Sequence, residues 1–139
     1  MLLQPRKTKY KKEQKQRVKT FFTKNQNLKI APFFIKSIES GKITAKQIET
    51  TRIALNRIFK KSGKIFISIF PNLPTTKKPA ETRMGKGKGN IEMWTSRVAS
   101  GQHIFMIINN NINLIKKAFK YAKTKLPLKT ILINTFKNK

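Results

Sequence analysis

The sequence lacks most of the residues on which enzymes depend. Its 139 residues include no cysteine and no aspartate, only one histidine, His103, and five glutamates. Without cysteine there is no disulfide, no thiolate metal site and no cysteine nucleophile. Five scattered glutamates are a poor basis for a two-metal nuclease site, and His103 has no second histidine as a metal ligand or acid–base partner. The sequence also has no stretch approaching the roughly 18 to 20 apolar residues that cross a bilayer. We therefore predict no enzyme, no catalytic residue, no cofactor, no metal, no small-molecule substrate and no membrane partner.

What the chain has in excess is positive charge. Its 32 lysines and arginines give a formal net charge of +27 at pH 7. A compact protein with this charge repels itself, so we expect the native state to include a polyanion that neutralises it. The 26 lysines, 18 isoleucines, 11 asparagines and 10 phenylalanines are all types encoded by A- and T-rich codons. This composition indicates an AT-rich organellar or bacterial genome.

Residues 1–29 are predicted to form a basic RNA-binding tail. The segment carries ten cations against Glu13 alone, and its apolar residues follow no period. A run of like charges is expected to be extended and disordered until an anion orders it. A cleavable transit peptide is the competing interpretation, although the segment lacks serine and has few arginines.

Residues 30–139 are predicted to form a single α+β domain in the order β-α-β-loop-β-β-α-β. Thr44 followed by Gln47 is a capping box that begins a helix at about 44–61, which Gly63 would end in a left-handed conformation. We expect two helices to pack on one face of a mostly antiparallel sheet. The second helix is predicted at about 112–125, and five strands at about 28–38, 64–70, 91–99, 103–108 and 128–136.

A long glycine–lysine loop at 71–90 is predicted to protrude from this domain. Three prolines hold its first part extended. Its second part alternates glycine with cations, and the glycine amides and the charges of Arg83, Lys86 and Lys88 could face an anion. A nucleotide-binding P-loop is excluded, because that motif continues with Ser or Thr and opens a helix. We predict that the loop inserts into folded RNA, with a solvated hairpin as the alternative.

Other conspicuous residues are interpreted as structural. Glu81 and Glu92, on either side of the loop, are predicted to pair with neighbouring lysines. Met93 and Trp94 are expected in the core. The strand at 64–70 is expected to be buried on both faces or nearly so. His103 is expected at the surface or at the end of a strand.

Several motifs together resemble a known family. They are Leu3-Gln4-Pro5-Arg6-Lys7-Thr8-Lys9-Tyr10, Gly41-Lys42-Ile43-Thr44-Ala45-Lys46-Gln47-Ile48-Glu49, Gly63-Lys64-Ile65, Lys125-Leu126-Pro127-Leu128-Lys129-Thr130 and, above all, Arg83-Met84-Gly85-Lys86-Gly87-Lys88-Gly89. The chain is similar to universal large-subunit ribosomal protein sixteen, of bacterial type. The resemblance implies an α+β body on the large subunit, bound to large-subunit rRNA near the peptidyl transferase centre and the A-site tRNA corridor. It also implies a role in late subunit assembly.

The resemblance and the basic surfaces together define the candidate site. The resemblance carries rRNA contact to the tail residues Arg6, Lys7, Lys9, Lys11 and Lys12. Tyr10, as a stacking residue, and the helix residues Arg52, Arg57 and Lys60 complete the predicted rRNA-binding set. The loop that would face rRNA and tRNA consists of Arg83, Met84, Gly85, Lys86, Gly87, Lys88 and Gly89. The implied partners are large-subunit rRNA, A-site tRNA and neighbouring large-subunit ribosomal proteins.

Some features depart from the family pattern. Segment 14–34 has none of the glycine usual there, and asparagines at 109–113 replace glycine and acidic residues. With the AT-type composition, this drift predicts a mitochondrial member in the matrix, made inside the organelle because the family's N-terminus lies at Met1. The cytoplasm of an AT-rich bacterium and a plastid remain open. So do two other functions, an enzyme acting on nucleic acid and a histone-like, non-ribosomal DNA-binding protein.

Overall fold

The structure is a computed structural model that describes residues 3–22, 31–60 and 62–135. Parts of the predicted tail, first strand and last strand lie outside these residues. The helices are α1 (Ala45–Phe59) and α2 (Ile112–Lys123). The strands are β1 (Phe33–Ser37), β2 (Gly41–Thr44), β3 (Lys64–Ile67), β4 (Leu73–Lys77), β5 (Asn90–Val98), β6 (His103–Ile108) and β7 (Thr130–Asn134).

The described strands form two antiparallel sheets. The four-stranded sheet has the order β3-β6-β1-β7, and the three-stranded sheet has the order β2-β5-β4. The α+β class with two helices is therefore confirmed, but the prediction of a single sheet of about five strands is wrong. Sequence reasoning missed β2, which has only four residues and runs directly into α1. It also missed β4, because Pro74 suggested a loop, whereas proline is tolerated on an edge strand such as this one.

Helix α1 begins as the sequence predicts and ends differently. The backbone N–H of Gln47 donates to Thr44 Oγ1 at 3.2 Å, and the Thr44 N–H donates to Gln47 Oε1 at 2.9 Å, which completes the capping box. The left-handed residue at the C-terminus is Lys60, with φ 43°, and the prediction of Gly63 for this role is wrong. Gly63 is needed for a close approach instead, because a Cβ there would lie 2.8 Å from the Ile108 carbonyl oxygen.

One core joins both helices to both sheets. Helices α1 and α2 pack against each other, and their apolar stripes are buried as predicted. Ile43 of β2 and Val98 of β5 belong to the same cluster as the four-stranded sheet, and so does Leu3 of the tail. The main members are Ile48, Leu55, Phe59, Ile115, Ala118, Ala122, Phe33, Ile35, Phe105 and Ile107.

Strand β3 is less buried than its sequence suggests. It ends at Ile67 and lies at the edge of its sheet, with Lys64 and Phe66 exposed. The prediction of burial on both faces is wrong because an alternating apolar run does not show whether anything covers the second face. Met93 and Trp94 are likewise only partly buried and lie outside the core cluster. Within the described residues, no helix is long and apolar enough to span a bilayer.

Candidate nucleic-acid interface

The glycine–lysine loop lies between β4 and β5 and projects into solvent. Residues 81–88 are all exposed, and the Met84 side chain is 97% exposed. Gly85, Lys86 and Gly87 have φ values of 90°, 53° and 85°, so three successive residues adopt the left-handed region. Glycine reaches this region without a steric penalty, which explains the residue type at Gly85 and Gly87. Lys78 also donates a hydrogen bond across the loop to the Gly85 carbonyl.

The base of the loop is packed much more tightly than its tip. A Cβ at Gly89 would lie only 2.5 Å from the Lys77 carbonyl oxygen. Glycine therefore allows strands β4 and β5 to approach each other closely at this end of the hairpin. The same point is spanned by an ion pair between Lys77 Nζ and Glu92 Oε1 at 3.6 Å, which confirms the prediction for Glu92. Glu81 is exposed, and its pairing stays a prediction. The loop is shorter than the predicted 71–90, because residues 73–77 form β4.

The tail reaches this loop. Lys12 Nζ donates to the Lys88 carbonyl oxygen at 2.8 Å, and Lys88 Nζ donates in return to the Glu13 carbonyl. These two bonds join segments 75 and 76 residues apart in the chain. Residues 12–13 and the cationic loop therefore form one continuous basic surface.

Farther along, the tail is attached to the end of β5. Arg97 Nη1 donates to Gln16 Oε1 at 3.1 Å. The Phe22 N–H donates to the Ser100 carbonyl at 2.9 Å, and the Ser100 N–H donates to the Thr20 carbonyl at 3.2 Å. We expected this tail to be ordered only by an anion, but the protein itself supplies backbone partners for residues 20–22.

The predicted contact residues of the tail are exposed to solvent. Tyr10 is 64% exposed, and the Lys9 ammonium lies 5.5 Å from the centroid of its ring. Of the predicted tail contacts, Lys12 is the one hydrogen-bonded to the loop in the described part of the chain. Arg6, Lys7, Lys9, Lys11 and Lys12 are all exposed.

The three predicted residues of helix α1 differ in their availability. Arg57 and Lys60 are exposed. The Arg52 guanidinium is instead held by Glu49 through two bonds, Nε to Oε2 at 2.9 Å and Nη2 to Oε1 at 2.7 Å. Hydrogen bonding to Arg52 lowers the pKa of Glu49, and the same bond raises the pKa of Arg52. The positive charge of Arg52 is thus partly neutralised within the protein.

Elsewhere the cations far outnumber their acidic partners. Lys129 Nζ lies 2.9 Å from Glu39 Oε1, and hydrogen bonding to Lys129 lowers the pKa of that carboxyl. Among the described residues, this pair and the pairs at Glu49 and Glu92 occupy three lysines and arginines, whereas the whole chain has 32. Most of the charge therefore remains available to an external polyanion.

His103 is more buried than the sequence predicts, and Arg97 has a role in the fold that no sequence pattern indicated. His103 begins β6, as a strand-end residue should, but it is only 8% exposed and its ring packs 4.7 Å from that of Phe34. Burial lowers the His103 pKa, and the charge of Lys36 lowers it further. Arg97 was not singled out at all, yet its Nε and Nη2 atoms are buried without a hydrogen-bond partner among the described residues. The sequence shows Arg97 only as one more cation, and the fold is needed to show that two of its nitrogen atoms are buried without acceptors.

The exposed chemistry of the described residues is mainly cationic. In the described part of the chain, no group of three or more histidine or glutamate side chains could hold a metal ion. The features with exposed chemistry are a cationic loop, a cationic tail joined to it and a basic end of α1. They define a basic α+β protein with an exposed cationic surface.

Comparisons with known proteins agree with this class and make it specific. The family model of ribosomal protein L16p/L10e matches residues 5–133. Three similar proteins, each named large ribosomal subunit protein uL16, come from Halorhodospira halophila, Rhodopseudomonas palustris and Christiangramia forsetii. The H. halophila protein is 41% identical over 96% of the chain and 97% of its own length. The R. palustris protein is 45% identical over 93% of the chain and 94% of its own length. The C. forsetii protein is 46% identical over 93% of each. The chain belongs to the ribosomal protein L16p/L10e family, a family of structural proteins, and it is not an enzyme.

Proposed function

We propose that the protein is a structural component of the large ribosomal subunit that binds large-subunit rRNA near the peptidyl transferase centre and lines the A-site tRNA corridor. Family membership and the names of its bacterial relatives support the place in the large subunit. The single observation that carries the finer assignment is the loop at 83–89, exposed from Arg83 to Lys88, with its cations and its left-handed glycines. In this position the loop would support tRNA positioning, and the protein would join late in subunit assembly.

The proposed mechanism is electrostatic and geometric. Lysine and arginine side chains neutralise crowded phosphates and release their condensed counterions, which supplies affinity without reading sequence. The folded core fixes where these cations lie, and the bonds between Lys12, Glu13 and Lys88 hold the tail beside the loop. Tyr10 and the extended tail add a stacking surface for an unpaired base.

The test separates tRNA contact from subunit binding. Replacing Arg83, Lys86 and Lys88 together with alanine should impair A-site tRNA binding more than incorporation into the subunit, because the tail and helix cations remain. Subunit co-sedimentation and A-site binding measure the two effects. The matched control replaces three exposed lysines of α2, Lys116, Lys117 and Lys120, with alanine and removes the same charge.

Equal losses of both activities in the loop variant would refute this division of labour. So would the same loss of A-site binding in the α2 control.

We further propose that the protein acts in the mitochondrial matrix, as part of that organelle's large subunit. The supporting observations are the AT-type composition and the drift in segment 14–34. The relatives described above are bacterial, which is compatible with an AT-rich bacterium as the alternative. Finding the gene in a mitochondrial genome would support the proposal, and finding it in a bacterial chromosome or a plastid genome would overturn it.

A further inference from the structure

A cleft lies where the tail crosses the end of β5. It has a volume of about 350 Å³, which exceeds the roughly 30 Å³ share of one water molecule many times over. The tail forms one wall and the ends of β5 and of the following turn form the other. Its principal lining residues are Arg17, Lys19, Phe21, Phe22, Arg97 and Gln102.

Arg97 in this cleft lacks hydrogen-bond acceptors. Its Nη1 atom donates to Gln16 Oε1, but Nε and Nη2 are buried and have no partner among the described residues. A buried, unpaired donor on a charged group is costly, so such groups in native proteins usually indicate a missing partner. The planar guanidinium fork matches two oxygens of a phosphate group. The unmet need at Arg97 is therefore for an anion with two acceptor oxygens.

The neighbouring strand adds a second unbalanced charge. Lys42 of β2 pairs directly with Arg97 of β5. The adjacent residues Ile43 and Val98 are in the core, so the two cations share the opposite face of the sheet. Like charges directly opposite each other on a sheet are destabilising. Neither cation forms a salt bridge with a carboxylate of the described residues. Lys42 does not line the cleft itself, but an anion held at Arg97 would reduce the repulsion between the two charges.

We propose that this cleft binds a phosphodiester group of an RNA strand, with the Arg97 guanidinium as its central ligand. Arg17 and Lys19 supply further positive charge from the tail side. Phe21 is 73% exposed at the cleft and offers its ring to the adjacent base, since aromatic side chains stack on unpaired bases. The inference rests on the proposed binding of RNA by this protein and assigns one specific contact within it.

The experiment compares Arg97→Met with Lys120→Met, a matched loss of one positive charge on the exposed face of α2. The probe is a labelled transcript of large-subunit rRNA, titrated with the full-length protein at several salt concentrations. Arg97→Met should weaken binding by about tenfold, the effect of losing charge-assisted hydrogen bonds to one phosphate, and lower the salt slope by about one. Lys120→Met should change the affinity much less.

Three further variants and a melting measurement keep the interpretation independent of folding. Arg97→Lys retains the charge but loses the planar fork, so it should fold normally and still bind more weakly than the wild type. Phe21→Ala should weaken binding, whereas Phe21→Trp, which keeps an aromatic ring, should bind as the wild type does. The melting temperature of Arg97→Met should equal or exceed that of the wild type, because the variant buries no unpaired guanidinium.

The possible failures are distinguishable. If the wild type binds the transcript but Arg97→Met and Lys120→Met weaken binding equally, the cleft is not a phosphate site, while the proposed function stands. If the wild type does not bind the transcript at all, the proposed function fails and this inference fails with it.

Discussion

His103 is a single imidazole that should make the stability of this protein depend on pH near neutrality. The ring is buried against Phe34, and both burial and the nearby Lys36 charge hold its pKa below the ordinary value of 6.5. The unfolded chain therefore takes up a proton at a pH where the folded protein resists it. Stability from this group is present above pH 6.5 and is lost as the pH falls below that value. The sequence predicted a surface or strand-end position for His103. The strand-end position is correct, but the pattern around it could not show that Phe34 packs against the ring.

Replacing His103 with phenylalanine tests this dependence. The free energy of unfolding of the wild type should decrease relative to that of His103→Phe as the pH falls through 6.5, because only the wild type gains a proton there on unfolding. Urea unfolding of both proteins on either side of that pH measures the difference. The carboxyls of Glu39 and Glu49 have pKa values below 4.5, so their contributions change at lower pH. A constant difference between the two proteins would contradict the assignment.

At the scale of elements, the helices were predictable and the short strands were not. The apolar stripes of α1 and α2 and the capping box at Thr44 are local signals, and all of them describe the structure. Strands β2 and β4 are defined by their pairing with β5, which is distant in sequence from both. The sequence predicted a protruding loop at 71–90, of which residues 81–88 are exposed, but not that Gly89 allows the hairpin to close against Lys77.

Two glycine substitutions separate the packed base of the loop from its open tip. Gly89→Ala should reduce the free energy of unfolding by about 2 to 3 kcal/mol, because its Cβ would overlap the Lys77 carbonyl and force β4 from β5. Gly87→Ala has open space around its Cβ and meets only the left-handed strain, so its cost should be about 1 kcal/mol. Urea denaturation measures both values. Equal costs would show that packing at Gly89 does not matter.

At the scale of the whole molecule, the net charge follows directly from the sequence, whereas the path of the tail could not be predicted from it. A net charge of +27 follows from composition alone, and a charge of this size by itself indicates a polyanionic partner. The contacts of Gln16, Thr20 and Phe22 with the body could not be predicted, because the tail has no periodic pattern. The burial of Arg97 Nε and Nη2 without acceptors depends on that path, so it could not be predicted from the sequence either.

Binding to RNA should respond strongly to salt. If six or more of the proposed cations meet phosphates, affinity for a large-subunit rRNA transcript should fall by about a thousandfold between about 50 and about 200 mM salt. A variant in which Arg6, Lys7, Lys9, Lys11 and Lys12 are replaced with glutamine should show a clearly shallower slope, because it loses tail cations while Leu3 remains in the core. Filter binding across a salt series measures both slopes. Parallel slopes for the two proteins would exclude the tail from phosphate contact.

The open edge of the four-stranded sheet has a consequence for the protein before it meets RNA. Among the described strands, β3 has a partner on one side only, and exposed Phe66 adds an apolar side chain at this edge. Such an edge is a template for joining to an identical molecule. Mutual repulsion between highly cationic copies keeps free molecules apart, so self-association is suppressed for as long as the charge is unmatched. A short, flexible polyanion neutralises part of this charge without covering the whole surface. Small amounts of it should therefore promote aggregation of the unassembled protein.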